Sequence, residues 1–172
     1  MNKKRFNLIL LTIVSIFFGL SINTNKVSAA KYGASLYTTP KAMRGTWYLK
    51  NTKTMPNTGV KSDVLHPYSK IKIGTHTIIF TKKRGKRGLS GKYTLYKTPK
   101  NVAKFSIKKI NAAEKYAAKH RWLAPDNINS RGFEFRKETW LRSYSSTSNG
   151  ALSVKGRTLT FENIFMKDTF RK

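Results

Sequence analysis

The sequence predicts a mainly β fold: a small antiparallel barrel carrying one short helix, following an N-terminal signal peptide. Three observations predict it. Apolar and polar residues alternate in short segments over most of the chain past Lys31, which is the period of half-buried strands. Turn residues separate those segments, Asn149-Gly150 being the strongest hairpin cue. A single stretch has helical spacing, and one apolar face per strand suits a closed barrel or sandwich with a filled interior.

The chain opens with a positive segment, Asn2-Lys3-Lys4-Arg5, and an apolar run from Phe6 to Leu20 broken only by Asn7, Thr12, Ser15 and Gly19. Val27-Ser28-Ala29-Ala30 then offers small residues at the spacing a signal peptidase needs. As a helix the run spans about 22 Å, short of the ~30 Å hydrocarbon core of a bilayer. The expected organisation is a signal peptide over 1–30 and a single basic β-domain over 31–172. No Cys stands at the cleavage point, which excludes a lipid-anchored lipoprotein. No second run in the mature segment is long enough to cross a bilayer, and Phe165–Lys172 shows no sorting motif. The expected location is secreted, extracellular or loosely associated with the cell wall.

Gly45–Lys50 is rich in β-favouring aromatics, and Asn51–Lys61, with Pro56 and Gly59, reads as a loop. Lys70–Ile73 alternates basic and apolar residues, and Thr75–Lys82 puts His76, Ile78 and Phe80 on one face. Lys92–Lys97 sets Tyr93 and Leu95 together, and Asn101–Lys109 sets Ala103, Phe105 and Ile107 inward. The helix is expected from Ala112 to about Arg121, with Asn111 as N-cap, Glu114 three residues on, and Pro125 closing the segment. Gly132–Glu138, Trp140–Tyr144, Leu152–Val154 and Thr158–Ile164 complete the strands.

Thirty-five Lys and Arg against seven acids give a formal charge of +28. Removing the leader takes away only Lys3, Lys4, Arg5 and Lys26, so the folded part stays strongly basic. A domain so charged repels itself and seeks a polyanion. The charge is densest in Lys82-Lys83-Arg84-Gly85-Lys86-Arg87-Gly88-Leu89-Ser90-Gly91-Lys92, which reads as a mobile hairpin loop between two strands. Arg forks grip phosphate in bidentate fashion and Lys supplies a movable point charge. Lys82, Lys83, Arg84, Lys86, Arg87 and Lys92 are therefore the candidate anion-binding residues. The segment is no nucleotide-binding P-loop, because Lys86 occupies the first glycine position and Tyr93 follows Gly91-Lys92.

The chain holds no cysteine, hence no disulfide framework, a habit of many Gram-positive secreted proteins. Three histidines, His66, His76 and His120, show no metal-ligand spacing, and no cofactor or metal is expected. Asp126, Glu134, Glu138 and Glu162 are the carboxylates weighed for glycoside hydrolysis, but in so basic a chain each is expected to pair with Lys or Arg. Ser90 lacks nucleophile-elbow spacing. The sequence therefore predicts no catalytic residue and no enzyme.

Pro40-Lys41-Ala42-Met43-Arg44-Gly45-Thr46-Trp47-Tyr48 resembles the start of a group of small, basic, secreted proteins of lactic acid bacteria whose function is largely unassigned. The resemblance continues in Lys70–Phe80, through Thr75-His76-Thr77-Ile78, and in Gly156-Arg157-Thr158-Leu159-Thr160. The Gly45-Thr46-Trp47 start is also similar to the first strand of lipocalin-like barrels. That resemblance implies that Gly45 permits a tight turn into the strand and that Trp47 plugs the closed end. It further implies an Arg of the last strand packed on the Trp, for which Arg171 is the candidate.

The function expected from these residues is a non-catalytic, cationic cell-surface protein binding an anionic envelope polymer, teichoic acid or similar, by charge. Two other readings stay open: a lipocalin-like carrier of a small apolar ligand, and a cationic effector acting on competitor cells or binding nucleic acid without sequence specificity. Tyr93, Tyr96 and Phe105 near the basic loop are the aromatics available to stack on bases.

Overall fold

The computed structural model describes residues 31–55, 65–129, 131–136, 150–163 and 165–172. The expected signal segment, the expected strand Trp140–Tyr144, and Glu138 lie outside them. Within them run β1 (Ser35–Leu36), β2 (Gly45–Thr54), β3 (Tyr68–Ile73), β4 (Thr77–Lys82) and β5 (Gly91–Lys97). Helix α1 (Ile107–Lys119) follows, then β6 (Trp122–Asn129), β7 (Gly132–Arg136), β8 (Ala151–Lys155), β9 (Thr158–Glu162) and β10 (Met166–Arg171). The chain is mainly β, as the alternation predicts.

The strands form one sheet in the order β1-β5-β4-β3-β2-β10-β9-β8-β7-β6. Neighbours in that order pair antiparallel. One further pairing brings the sheet round on itself: β5 meets β6 in parallel through Thr94↔Trp122 and Leu95↔Leu123. Parallel neighbours need a crossover of a dozen or more residues, usually helical. Helix α1 is that crossover.

Ser106 caps α1, its side chain accepting from the Lys109 backbone N–H at 3.3 Å. The helix thus starts five residues before the expected Ala112, and the expected strand Asn101–Lys109 is a 3₁₀ turn (Val102–Lys104) leading into the cap. The alternation there covers too few residues to outweigh a capped, alanine-rich helix. Ile107, expected inward, is 75% exposed. Ala113 and Ala117, one turn apart, are buried with Ala34, Trp122 and Ala124, so the helix lies against the outside of the sheet. Their small side chains let it come close.

Strand β6 carries no strand signal in the sequence, because Pro125 reads as a helix terminator. Pairing with β5 ends at Leu123, so beyond it Pro125 bonds only towards β7 and its missing N–H breaks no ladder bond on the other side. Strand β2 also runs to Thr54, four residues past the expected Lys50.

The interior is filled by the inward rows. Trp47, Ile71, Ile78, Phe80, Leu95, Leu123, Leu152, Leu159, Phe161 and Phe170 are each 1% exposed or less, and Phe133 is 2% exposed. Tyr68 adds ring contacts with Phe80 at 4.8 Å and Phe161 at 5.2 Å, tying β3 and β4 to β9 across the core. By volume Trp47, Phe80, Phe161 and Phe170 are the largest fully buried side chains, and each removes a large apolar area from water at about 25 cal/mol per Å².

Candidate cationic cleft and the buried His–Asp pair

The register fixes the two ends of the barrel-like sheet. Gly45 pairs with Ile73 and Tyr48 with Arg171 at one end, while Thr54 pairs with Met166 and Tyr68 with Lys82 at the other.

At the first end Gly45 enters β2 at φ 128°, a conformation open to glycine and strained for any side chain. Trp47 is fully buried and donates its indole N–H to the Met43 carbonyl at 2.7 Å. The cation over its ring is Lys172, whose Nζ lies 4.6 Å from the ring centroid. Arg171, the residue expected there, is exposed and pairs with Thr158 and Tyr48 along the strand edges. Successive residues of a strand point to opposite faces, so one position decides which cation meets the Trp.

The second end carries the charge. The segment between β4 and β5 turns at Gly85, φ 73°, and at Gly88, φ 143°. It is more firmly held than its composition predicts. The Lys83 N–H donates to the Pro67 carbonyl at 2.8 Å, and the Leu89 N–H donates to the Tyr68 hydroxyl at 3.2 Å. Leu89 itself is buried, 3% exposed. Arg121, just past α1, donates from Nε to the Lys92 carbonyl at 2.9 Å and from Nη2 to the Ser90 carbonyl. Its guanidinium also stacks 4.4 Å over the Tyr93 ring. The hairpin is therefore pinned at its base, with its tip carrying the cations.

Lys82, Lys83, Arg84 and Lys86 line an open cleft of about 630 Å³ together with Ser90. Arg87 and Lys92 flank it without lining it; both are exposed. The structure thus gathers Lys82, Lys83, Arg84 and Lys86 on one shallow, open face. Arg121, whose contacts shape its base, is invisible in the local charge pattern.

Beside this hairpin lies an arrangement that no local sequence pattern announces. Asp168 sits on the inward row of β10 between Met166 and Phe170 and is fully buried. His66 meets it from the loop before β3, Nδ1 lying 2.5 Å from Asp168 Oδ1. The other ring nitrogen, Nε2, lies 2.8 Å from the exposed Thr54 hydroxyl. Burial holds the Asp168 carboxyl above its ordinary range, while the His66 hydrogen bond, the His66 charge and Lys83 pull it back down. Burial likewise pushes the Tyr68 phenol far up, against the pull of the Leu89 hydrogen bond; Tyr93 and Asp168 add to the rise. Asp168 Oδ2 and the Tyr37 hydroxyl have no hydrogen-bond partner among the described residues.

The other residues weighed from the sequence disperse. Glu162 pairs with Lys167 at 3.1 Å on the outer face. Asp126 and Glu134 are register partners on β6 and β7. His76 meets the Tyr37 carbonyl at 2.9 Å, and His120 stacks on Tyr116 at 3.8 Å. Among the described residues, no group of three His, Asp or Glu side chains is placed to hold a metal ion, and no helix is long and apolar enough to cross a membrane. Comparison with protein-family models, curated proteins and solved structures returns no match for this chain.

Proposed function

We propose that the chain is a secreted, cationic protein held by charge to an anionic polymer of the cell envelope, a phosphate polymer of the teichoic-acid type. The observation that carries this reading is the cleft lined by Lys82, Lys83, Arg84 and Lys86 at one end of a β-domain whose formal charge is strongly positive. A flexible polyphosphate brings successive anions at a spacing that such a row meets without exact register, and releases counterions as it does so. The apolar-carrier reading is less favoured, because Trp47, Phe80, Phe161 and Phe170 occupy the inward rows. The resemblance to secreted proteins of lactic acid bacteria points to the same surroundings.

The test is salt-dependent retention on purified walls, with and without their teichoic acids. Replacing Lys82, Arg84, Lys86 and Arg87 by Gln flattens the salt slope and weakens retention while thermal stability holds. For DNA each neutralised phosphate contributes about 0.9 to that slope, and other dense polyphosphates follow with the same sign. The comparator is Gln at four exposed, dispersed sites, Lys50, Lys104, Lys119 and Lys155. Equal weakening by both sets assigns the attraction to the whole surface and removes the cleft as a site. Retention that does not depend on teichoic acid, with DNA competing fully, moves the reading to nucleic acid. Amino-terminal sequencing of secreted material is expected to begin at Ala30 or Lys31; an intact Met1 removes the export reading.

A further inference from the structure

We propose that Thr54, His66 and Asp168 form a nucleophile, base and orienting carboxylate, and that the chain hydrolyses carboxylic esters of anionic molecules at the hairpin end of the barrel. The three come from the end of β2, the loop before β3, and β10, with His66 and Asp168 102 residues apart in sequence. Thr54 Oγ1 lies 2.8 Å from His66 Nε2, and His66 Nδ1 lies 2.5 Å from Asp168 Oδ1. With Nδ1 protonated and donating to the carboxylate, Nε2 is left to accept the hydroxyl proton, which is the polarity a base-activated nucleophile needs.

Three features set this chain of contacts apart from an ordinary core pair. Asp168 is fully buried in an inward row otherwise filled by Met166 and Phe170, where a carboxylate is costly and an apolar residue would fit. His66 holds φ 51° although it is not glycine and precedes Pro67, which presses its neighbour towards extended backbone. Its backbone N–H is engaged there by Met166 Sδ at 2.8 Å. Strain of this kind concentrates at functional sites. Finally, the outer His66 nitrogen ends on an exposed hydroxyl, at the surface rather than in the core.

In the reaction, Thr54 Oγ bonds to the ester carbonyl carbon as its proton passes to His66 Nε2. The bond from that carbon to the alcohol oxygen breaks, and the proton goes to the departing alkoxide. Water then gives a proton to His66 and its oxygen to the acyl carbon. The acyl–Thr54 bond breaks, the carboxylic acid leaves, and His66 returns the proton to Thr54. Asp168 is the positioning residue, faced by His66, Lys83 and Tyr68. The preference for an anionic ester rests on the cationic-cleft reading; the relay does not.

The test uses the purified secreted chain, 4-nitrophenyl acetate, 4-nitrophenyl hemisuccinate and an alkyl fluorophosphonate. Thr54→Val, at an exposed strand end, keeps the thermal midpoint and loses at least about 100-fold in acetate hydrolysis, as does His66→Gln. The fluorophosphonate adduct maps to Thr54, and Asp168→Asn lowers the rate and displaces its pH profile. Hydrolysis at the same rate by the folded wild-type and Thr54→Val chains overturns the relay, as does an adduct on another residue. The hemisuccinate rate falls about tenfold between roughly 20 and 500 mM salt while the acetate rate does not. Equal salt responses overturn only the anionic preference.

Discussion

The two ends of the barrel-like sheet solve the same problem, finishing a core against water, by opposite means. At the Trp47 end an indole fills the interior, its N–H is answered by the Met43 carbonyl, and the Lys172 ammonium covers the ring. At the hairpin end a carboxylate is admitted into the interior, and a histidine from outside meets it. The first end gains from burial, with one satisfied indole N–H and a cation over the ring. The second holds a fully buried carboxylate whose desolvation is costly and is offset by a single histidine contact. The difference teaches that apolar packing and buried charge are segregated to opposite ends of β2.

That separation can be broken from either side. Trp47→Ala is expected to have the largest effect, about 3–5 kcal/mol, read by denaturant unfolding. It acts on the whole core and leaves the cationic cleft untouched in any chain that still folds. An unfolding midpoint unchanged from wild type removes the plug.

His66→Ala comes next. It strips Asp168 Oδ1 of its partner where Oδ2 already lacks one among the described residues, a loss of about 1–3 kcal/mol. The same pair gives a pH signature. Because burial raises the Asp168 carboxyl, the fold binds that proton more readily than the unfolded chain does. Stability contributed by this group is therefore present below the ordinary carboxylate value, about pH 4, and is lost as pH rises through the raised one. Asp168→Asn cannot ionise, so its thermal midpoint gains on wild type across that interval. Parallel midpoint curves for the two chains would show that Asp168 does not titrate there.

The smallest effect sharpens the first end. Lys172→Ala loses about 0.5–1 kcal/mol of cation–π contact with Trp47, whereas Arg171→Ala, at the exposed end of β10, changes stability less. The reverse order in matched thermal melts restores Arg171 to the ring.

Much of the fold is legible in the sequence because strands with one buried face print their period directly. Ile78 and Phe80, Leu152 and Val154, and Leu159 and Phe161 alternate and are buried. Strand β10 is hidden by the same logic: Asp168 stands where an apolar residue would complete Met166 and Phe170. Strand β6 is hidden by Pro125, whose tolerance depends on where a neighbouring strand stops. The cationic cleft is legible because its residues are contiguous. The His66–Asp168 pair is not, since no local pattern links a loop to a strand 102 residues later. Arg171 and Lys172 differ by one position, and only the register tells them apart.

The place of β10 in the sheet has a consequence for how the chain acquires its fold. The latest described strand is not at an edge; it lies between β2 and β9 and joins the half built from β2–β5 to the half built from β6–β9. Until it is available, each half exposes an open strand edge and an unfinished apolar face. Pairing such distant segments is slow, since loop closure must be met before the contacts repay it. A chain emerging from its amino end therefore completes its core only once β10 has followed β2–β9.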